Sequence, residues 1–293
     1  AVEPIHVDHS IPGAYGFIIH TSRGCIVYTG DFRMHGPAAK LTEEFVNRCI
    51  ECDPVAVICE GTNVVGASVS SEAEVESRLN QLAKETPGLI LADFSRTDVD
   101  RLNTFYRVAS RCGRRLAITL KQAYILEKLK DDPHLKLPKP DEEGILIFQK
   151  AKKRYSGWEK AILSYHNVVD SSEVSRMQGR VILVASYYDF EELVDIDPGP
   201  GGCYILSASE PFNEEMEMDF NKLVNWLEHY GLPQYHIHVS GHITPLHLKE
   251  ALERMNARNI FLIHGAHLNL LSRFMKDLKS EIIIPDKGVE YKV

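Results

Sequence analysis

The chain runs to 293 residues, 44% of them apolar and 25% charged, with a formal net charge of −8. That length holds one large or two ordinary domains, and the composition is that of a folded globular protein. No apolar run is long enough to span a bilayer, no secretory signal is visible, and the six cysteines follow no disulfide-framework spacing, so the reading is a cytoplasmic protein rather than a membrane-spanning or disulfide-stapled one.

In chain order, residues 13–19 and 24–29 read as two strands joined by a turn at Ser22-Arg23-Gly24. The hairpin is expected to bring His9, just before it, and Asp31, just after it, into one region. A histidine and an aspartate on neighbouring loop ends suit a borderline divalent ion, zinc above all. Cys49-Ile-Glu-Cys52 is a lone Cys-x-x-Cys without a partner pair, which argues against a zinc ribbon. Residues 55–59 form a buried strand that ends in the carboxylate of Glu60. Helical spacing follows over 71–84, with Ser70 or Ser71 as N-cap and Glu74 as its box partner. Beyond it, residues 88–93, 115–119, 181–185 and 202–207 read as strands, and 99–112, 123–130 and 220–230 as helices. Gly113 closes the first of those helices, and Gly231 with Pro233 the last. Alternating strands and helices predict an α/β protein with a parallel sheet.

The C-terminal part holds the densest chemistry. Five of the 13 histidines fall between His236 and His264, and that clustering points to a metal or phosphate site. The apolar run Ile260-Phe-Leu-Ile263 ends in His264-Gly265, a strand that presents a ligand from its carboxyl end into a tight turn. Two basic stretches could line a nucleic-acid channel despite the acidic total: Arg96, Arg101, Arg107, Arg111, Arg114, Arg115 and Lys121, then Lys150, Lys152, Lys153, Arg154 and Lys160. Ordinary solvated helix faces are the competing reading for each of them.

Taken together, VDHSIPGAYGF (7–17), TGDFR (29–33), CEGTN (59–63), SASEPFNEE (207–215), HVSGH (238–242) and IHG (263–265) resemble the β-CASP branch of the metallo-β-lactamase fold, in particular its ribonuclease J-like RNA-processing nucleases. The motifs occur in the family's order and cover essentially the whole chain. The resemblance implies an incomplete metallo-β-lactamase αββα sandwich built from 1–71 and 235–293, with a β-CASP domain, 72–234, inserted and forming one wall of the substrate cleft. It implies a zinc-dependent ribonuclease with two zinc ions in the complete protein. His9 would ligate one zinc, Asp31 would bridge the two, and His264 would ligate the second, its presence favouring RNA over DNA. Glu60 would stand in motif A and orient a histidine of the site; His242, in motif B, would protonate the leaving oxygen or stabilise the phosphorane. Ser207, Ser209, His238, Ser240 and Gly241 would bind an RNA phosphate through hydroxyls and backbone N–H groups.

One departure is large: the family's His-x-His-x-Asp-His cluster occurs nowhere in the chain. The expectation is therefore a C-terminal portion of a longer enzyme that holds little zinc and is inactive alone. The alternative is a non-catalytic RNA-binding or assembly subunit with a degenerate metal site. RNA is the expected partner in either case, with a homodimer or a larger RNA-processing complex as the assembly.

Overall fold

β-Branched and aromatic side chains are frequent in the first strands, and each strand pairs with its chain neighbour: β1 (Val2–His6), β2 (Tyr15–Thr21) and β3 (Gly24–Tyr28) form an antiparallel meander. The turn between β2 and β3 is held by Thr21, whose hydroxyl donates to the Gly24 carbonyl at 2.7 Å and accepts from Arg23 N at 3.1 Å. The chain returns through helix α1 (Ala39–Glu51) and enters β4 (Pro54–Glu60), parallel to β3. The structure, a computed structural model, describes residues 1–64, 71–208 and 214–293.

The middle of the chain alternates as the sequence predicts: α2 (Glu72–Glu85), β5 (Ile90–Asp93), α3 (Val99–Arg111), β6 (Arg115–Thr119), α4 (Leu120–Leu129), β7 (Ile145–Phe148), α5 (Gly157–Ile162), β8 (Val168–Val169), α6 (Ser171–Arg176), β9 (Val181–Val184), α7 (Leu193–Ile196), β10 (Cys203–Leu206), α8 (Glu214–Tyr230) and β11 (Gln234–His236). The last stretch contributes α9 (Pro245–Met255), β12 (Asn259–Ile263), α10 (Leu268–Phe274) and β13 (Glu281–Ile283).

The chain divides into two compact units, Ala1–Glu72 with Ser240–Val293, and Ala73–Val239. The first carries a six-stranded sheet in the order β1-β2-β3-β4-β12-β13, antiparallel through β1, β2 and β3 and parallel from β3 onward. Ile18, Val27, Phe45, Val57, Leu252, Ile260 and Leu262 are buried in its core. The second unit holds a seven-stranded sheet, β11-β10-β5-β9-β6-β7-β8, with every pairing parallel. Its inner strands β9 and β10 are apolar runs buried along their length, as expected for parallel strands with both faces covered. Because β11 pairs with β10, residues 234–239 belong to this second unit.

Several boundaries differ from the sequence reading for local reasons. Helix α3 starts at Val99, as the sequence reading has it, where Asp98 accepts a hydrogen bond from Arg101 N, and ends one residue earlier, at Arg111. Helix α4 starts at Leu120, three residues earlier than its apolar spacing suggests, because Thr119 and Gln122 form a capping box. β7 and β8 escaped the reading because runs of four and two residues are too short to show a period. Ser70, one of the two N-cap candidates for α2, lies outside the described residues. Among the described residues no helix is long and apolar enough to cross a membrane.

Candidate metal centre

In parallel strands paired in register the carboxyl ends lie side by side. β3, β4 and β12 are adjacent, with Tyr28 paired to Ile58 and Ile263 to Glu60. Asp31 follows β3, Glu60 ends β4 and His264 follows β12, so three chemically active residues meet at one sheet end. His9 reaches the same place from the β1–β2 loop and His242 from the segment before α9. A cleft of about 330 Å³ there is lined by Tyr28, Gly30, Asp31, Glu60, Ile263 and His264.

His9 Nδ1 donates to the Gly241 carbonyl at 2.8 Å. A carbonyl can only accept, so the proton of the neutral ring sits on Nδ1 and the Nε2 lone pair is left for a ligand. Burial holds the His9 pKa below the ordinary histidine value, which keeps the ring neutral. The contact needs glycine at 241: a Cβ there would stand 2.6 Å from Ser10 Oγ and 3.3 Å from His9 Cε1.

Glu60 is 2% exposed, and both its oxygens are occupied. Oε1 accepts from Phe32 N at 2.8 Å, which fixes the residue next to Asp31, and Oε2 accepts from His242 Nδ1 at 2.7 Å. His242 is thereby oriented with Nε2 outward, the arrangement by which a carboxylate sets the tautomer of a metal-site or acid–base histidine. Burial of His242 works against its charged form, but the hydrogen bond and charge of Glu60 and the charge of Asp31 outweigh it, and the pKa is raised. Donor atoms of Asp31, Glu60 and His242 lie within 4.8 Å of one another. Since both Glu60 oxygens are engaged, we read Glu60 as the orienting member of that group and not as a ligand.

His264 is held by its backbone. Its carbonyl accepts from Gly61 N at 3.3 Å and from Thr62 Oγ1 at 2.9 Å, locking the loops after β4 and β12 together. Gly265 permits that approach, since a Cβ there would be 2.1 Å from the Gly61 oxygen. The His264 side chain is 60% exposed, and its Nε2 stands 3.8 Å from Asp31 Oδ1. Two ligands of one ion, each bound at about 2.0–2.2 Å, are separated by roughly 3–3.5 Å, so this pair is close to metal-bridged spacing. The ring centroids of His9 and His242 are 5.2 Å apart, and those of His242 and His264 6.1 Å. Imidazole nitrogens with fixed tautomers beside a carboxylate fit a borderline divalent ion.

The structure thus brings together His9, Asp31, Glu60, His242 and His264, with Ser240 and Gly241 beside them. Ser240 Oγ accepts from His242 N at 3.1 Å and its carbonyl accepts from His35 Nε2 at 2.7 Å, so Ser240 shapes the His242 loop. Ser207 and His238 lie in the other unit. Ser207 is buried, its hydroxyl donates to the Ile237 carbonyl at 2.6 Å and accepts from Arg101, and His238 Nδ1 donates to the Ser207 carbonyl at 3.1 Å. Ser209 lies outside the described residues. The sequence reading missed His35, Asn63, which donates to the His242 carbonyl at 3.2 Å, and the buried Asp8–Arg33 pair. Asp8 directly precedes His9 and Arg33 follows Asp31 by two, so adjacency was the available signal.

The basic stretches are largely answered within the second unit. Arg101 and Arg114 are buried, and Arg114 donates to the carbonyls of Gly88 and Val181 at 2.9 and 3.1 Å. Arg107 and Arg111 bind Glu76, Arg96 binds Asp189 and Lys152 binds Glu159. Arg101 and Arg114 therefore serve the core and do not line a channel.

No protein-family model matches the chain. It is 25% identical over 303 aligned residues to ribonuclease J of Thermus thermophilus, covering 98% of this chain and 50% of that protein. Ribonuclease J of Mycoplasma pneumoniae is 24% identical, over 94% of this chain and 47% of its own length. The chain spans about half the length of the curated relatives it matches. A crystal structure of a protein of unknown function from Enterococcus faecalis superposes with a TM-score of 0.73 at 19% identity, over 98% of this chain and 63% of that one, and shows a shared fold. Over nearly its whole length the chain is thus similar to bacterial ribonuclease J proteins, the similarity that its sequence motifs lead one to expect.

Proposed function

We propose that this chain carries part of the active centre of a zinc-dependent ribonuclease that hydrolyses RNA phosphodiester bonds in RNA processing or decay. The observation that carries this reading is the convergence of His9, Asp31, His242 and His264 at one sheet end, with the tautomers of His9 and His242 set by acceptors. On it, the unit containing β1, residues 1–72 and 240–293, corresponds to the partial metallo-β-lactamase domain that the sequence reading draws as 1–71 and 235–293, and the other, residues 73–239, to the β-CASP domain drawn as 72–234.

His9, Asp31 and His264 would hold zinc. Bound zinc supplies Lewis-acid activation of water and of the phosphate. The chain's own groups do the rest. His242, biased toward its charged form by Glu60, donates a proton to the leaving 3′ oxygen. Glu60 positions His242 and, through Phe32 N, the Asp31 loop. Ser240 and Gly241 stand beside His9 and His242, where the scissile phosphate would lie. RNA is the partner, in a homodimer or a larger processing complex in the cytoplasm.

A second reading is an RNA-binding or assembly subunit with a degenerate metal site. Elemental analysis of zinc per chain after dialysis, together with hydrolysis of end-labelled RNA by the chain and by a longer protein containing it, separates the two. The enzyme reading expects cleavage by the longer protein that Asp31→Ala abolishes. RNA binding without cleavage at any zinc loading would leave the subunit reading.

A further inference from the structure

β3 and β4 each have a second end. Six strand steps separate Pro54 from Glu60, about 20 Å at 3.3 Å per step, and at that far end a different set of donors meets. His20 on β2 and Cys25 on β3 are cross-strand partners, with His20 Nδ1 3.2 Å from Cys25 Sγ. Cys52, the C-cap of α1, completes the group, and one donor atom from each of His20, Cys25 and Cys52 lies within 4.8 Å of the others.

The surroundings organise this group as they would a metal site. Glu3 Oε2 stands 3.1 Å from His20 Nε2. Arg48, one turn before Cys52 on α1, grips Glu3 with Nε to Oε1 at 2.8 Å and Nη2 to Oε2 at 3.1 Å, and holds the Glu3 carboxyl below its ordinary range. An ionised carboxylate only accepts, so His20 carries its proton on Nε2 and turns the Nδ1 lone pair toward the thiols. Carboxylate–histidine–metal chains are built this way. Tetrahedral zinc bonds of about 2.3 Å to sulfur and 2.0–2.1 Å to nitrogen put sulfur and nitrogen roughly 3.5 Å apart, and the 3.2 Å found here needs only a few tenths of an ångström of opening.

We infer that His20, Cys25 and Cys52 form a second metal site, selective for a soft or borderline ion with zinc as its natural occupant, oriented by Glu3 and with a fourth position open to water. Two thiolates and an imidazole favour zinc or copper(I) over magnesium, calcium or manganese. Binding a divalent ion forms two metal–sulfur bonds and one metal–nitrogen bond; the two S–H protons pass to solvent, His20 keeps its Nε2 proton, and nothing is oxidised or reduced. Burial holds the Cys52 thiol above its ordinary range, so the metal-free thiol is protonated. Cys49 stays outside the ligand set: it is wholly buried in the core and its thiol is pushed up to about 12. The fold therefore separates the two cysteines of Cys49-Ile-Glu-Cys52, sending one into the core and the other to Cys25. The site is independent of the ribonuclease reading, whose candidate ligands include no cysteine.

That difference supplies the test. The reduced, metal-stripped full chain is titrated with cobalt(II), whose near-ultraviolet thiolate charge-transfer band reports cysteine ligation and cannot arise from His9, Asp31 and His264. The band should saturate at one ion, be displaced by zinc, vanish in Cys25→Ser and in Cys52→Ser, persist in Cys49→Ser and Asp31→Ala, and require about 10–100-fold more metal in Glu3→Gln. In the unmutated protein, zinc should slow alkylation of Cys25 and Cys52 and leave that of Cys112 unchanged, a readout that does not depend on any variant folding. No band and no protection in the reduced protein would overturn the proposal. So would a band that survives Cys25→Ser, or a Cys25–Cys52 disulfide whose reduced form binds no metal.

Discussion

At the scale of single residues, Glu60 decides most about the candidate centre. Glutamine at this position would present an NH₂ either to the Phe32 N–H or to the His242 Nδ1–H, each already a donor, so one hydrogen bond must break. Glu60→Gln is expected to bring the His242 pKa down, followed by NMR titration of the ring, and to lower metal affinity or hydrolysis about 10–100-fold. An unchanged His242 titration would show that Glu60 does not set it. A second residue-scale prediction concerns Asp93 at the end of β5. Burial pushes its carboxyl up to about 6 from 3.8, against the Tyr204 hydroxyl, which donates to it at 2.7 Å. Because the folded state binds this proton more tightly than the unfolded chain, its contribution to stability is greatest below about pH 4 and is lost as pH rises through about 6. Asp93→Asn should remove up to about 3 kcal/mol of that pH dependence, read from urea unfolding at pH 4 and pH 7. The same slope in wild type and variant would exclude Asp93 as its source.

At the scale of elements, the loops that carry the site are fastened by buried polar contacts. Arg33 N donates to the Asp8 carbonyl at 2.8 Å and Arg33 Nε to Asp8 Oδ1 at 3.1 Å, tying the loop of His9 to the loop of Asp31. Arg33 also donates to Glu72 at 3.2 Å. Arg33→Met leaves two carboxylates buried beside an apolar chain and is expected to cost about 3–5 kcal/mol, measured by urea unfolding; a cost below 1 kcal/mol would show that the loops relax freely. Gly265→Ala drives a methyl into the Gly61 carbonyl and should cost about 1–3 kcal/mol while displacing His264, visible as loss of metal affinity in calorimetry. Much of this layer was legible beforehand. The strand–Asp and strand–His–Gly endings pointed to β3 and β12, and the periodicity of α3 and the strands around it implied the parallel sheet. The start of α4 was not legible, since a capping box outweighs apolar spacing locally, and neither was Ser207, whose hydroxyl faces Ile237 and Arg101.

At the scale of the whole molecule, zinc added to the chain should raise its stability only as far as it binds the folded state: about 2.7 kcal/mol at a hundred times the dissociation constant. Differential scanning calorimetry of wild type, Asp31→Ala and Cys52→Ser divides that gain between the two candidate sites; a gain untouched by either substitution would place the metal elsewhere. Residue types and their periods lie along the chain itself, so the sequence alone determined the α/β class, the donor chemistry of His9, Asp31 and His264, and the motif order. Partnership is a property of distance in space, and only the tertiary structure decided it. Glu60 meets His242 across 182 residues and His9 meets Gly241 across 232. Cys52, with Cys49 only three positions away, is turned instead toward Cys25 and His20, because one face of a helix end packs into the core while the adjoining face meets the β2–β3 hairpin.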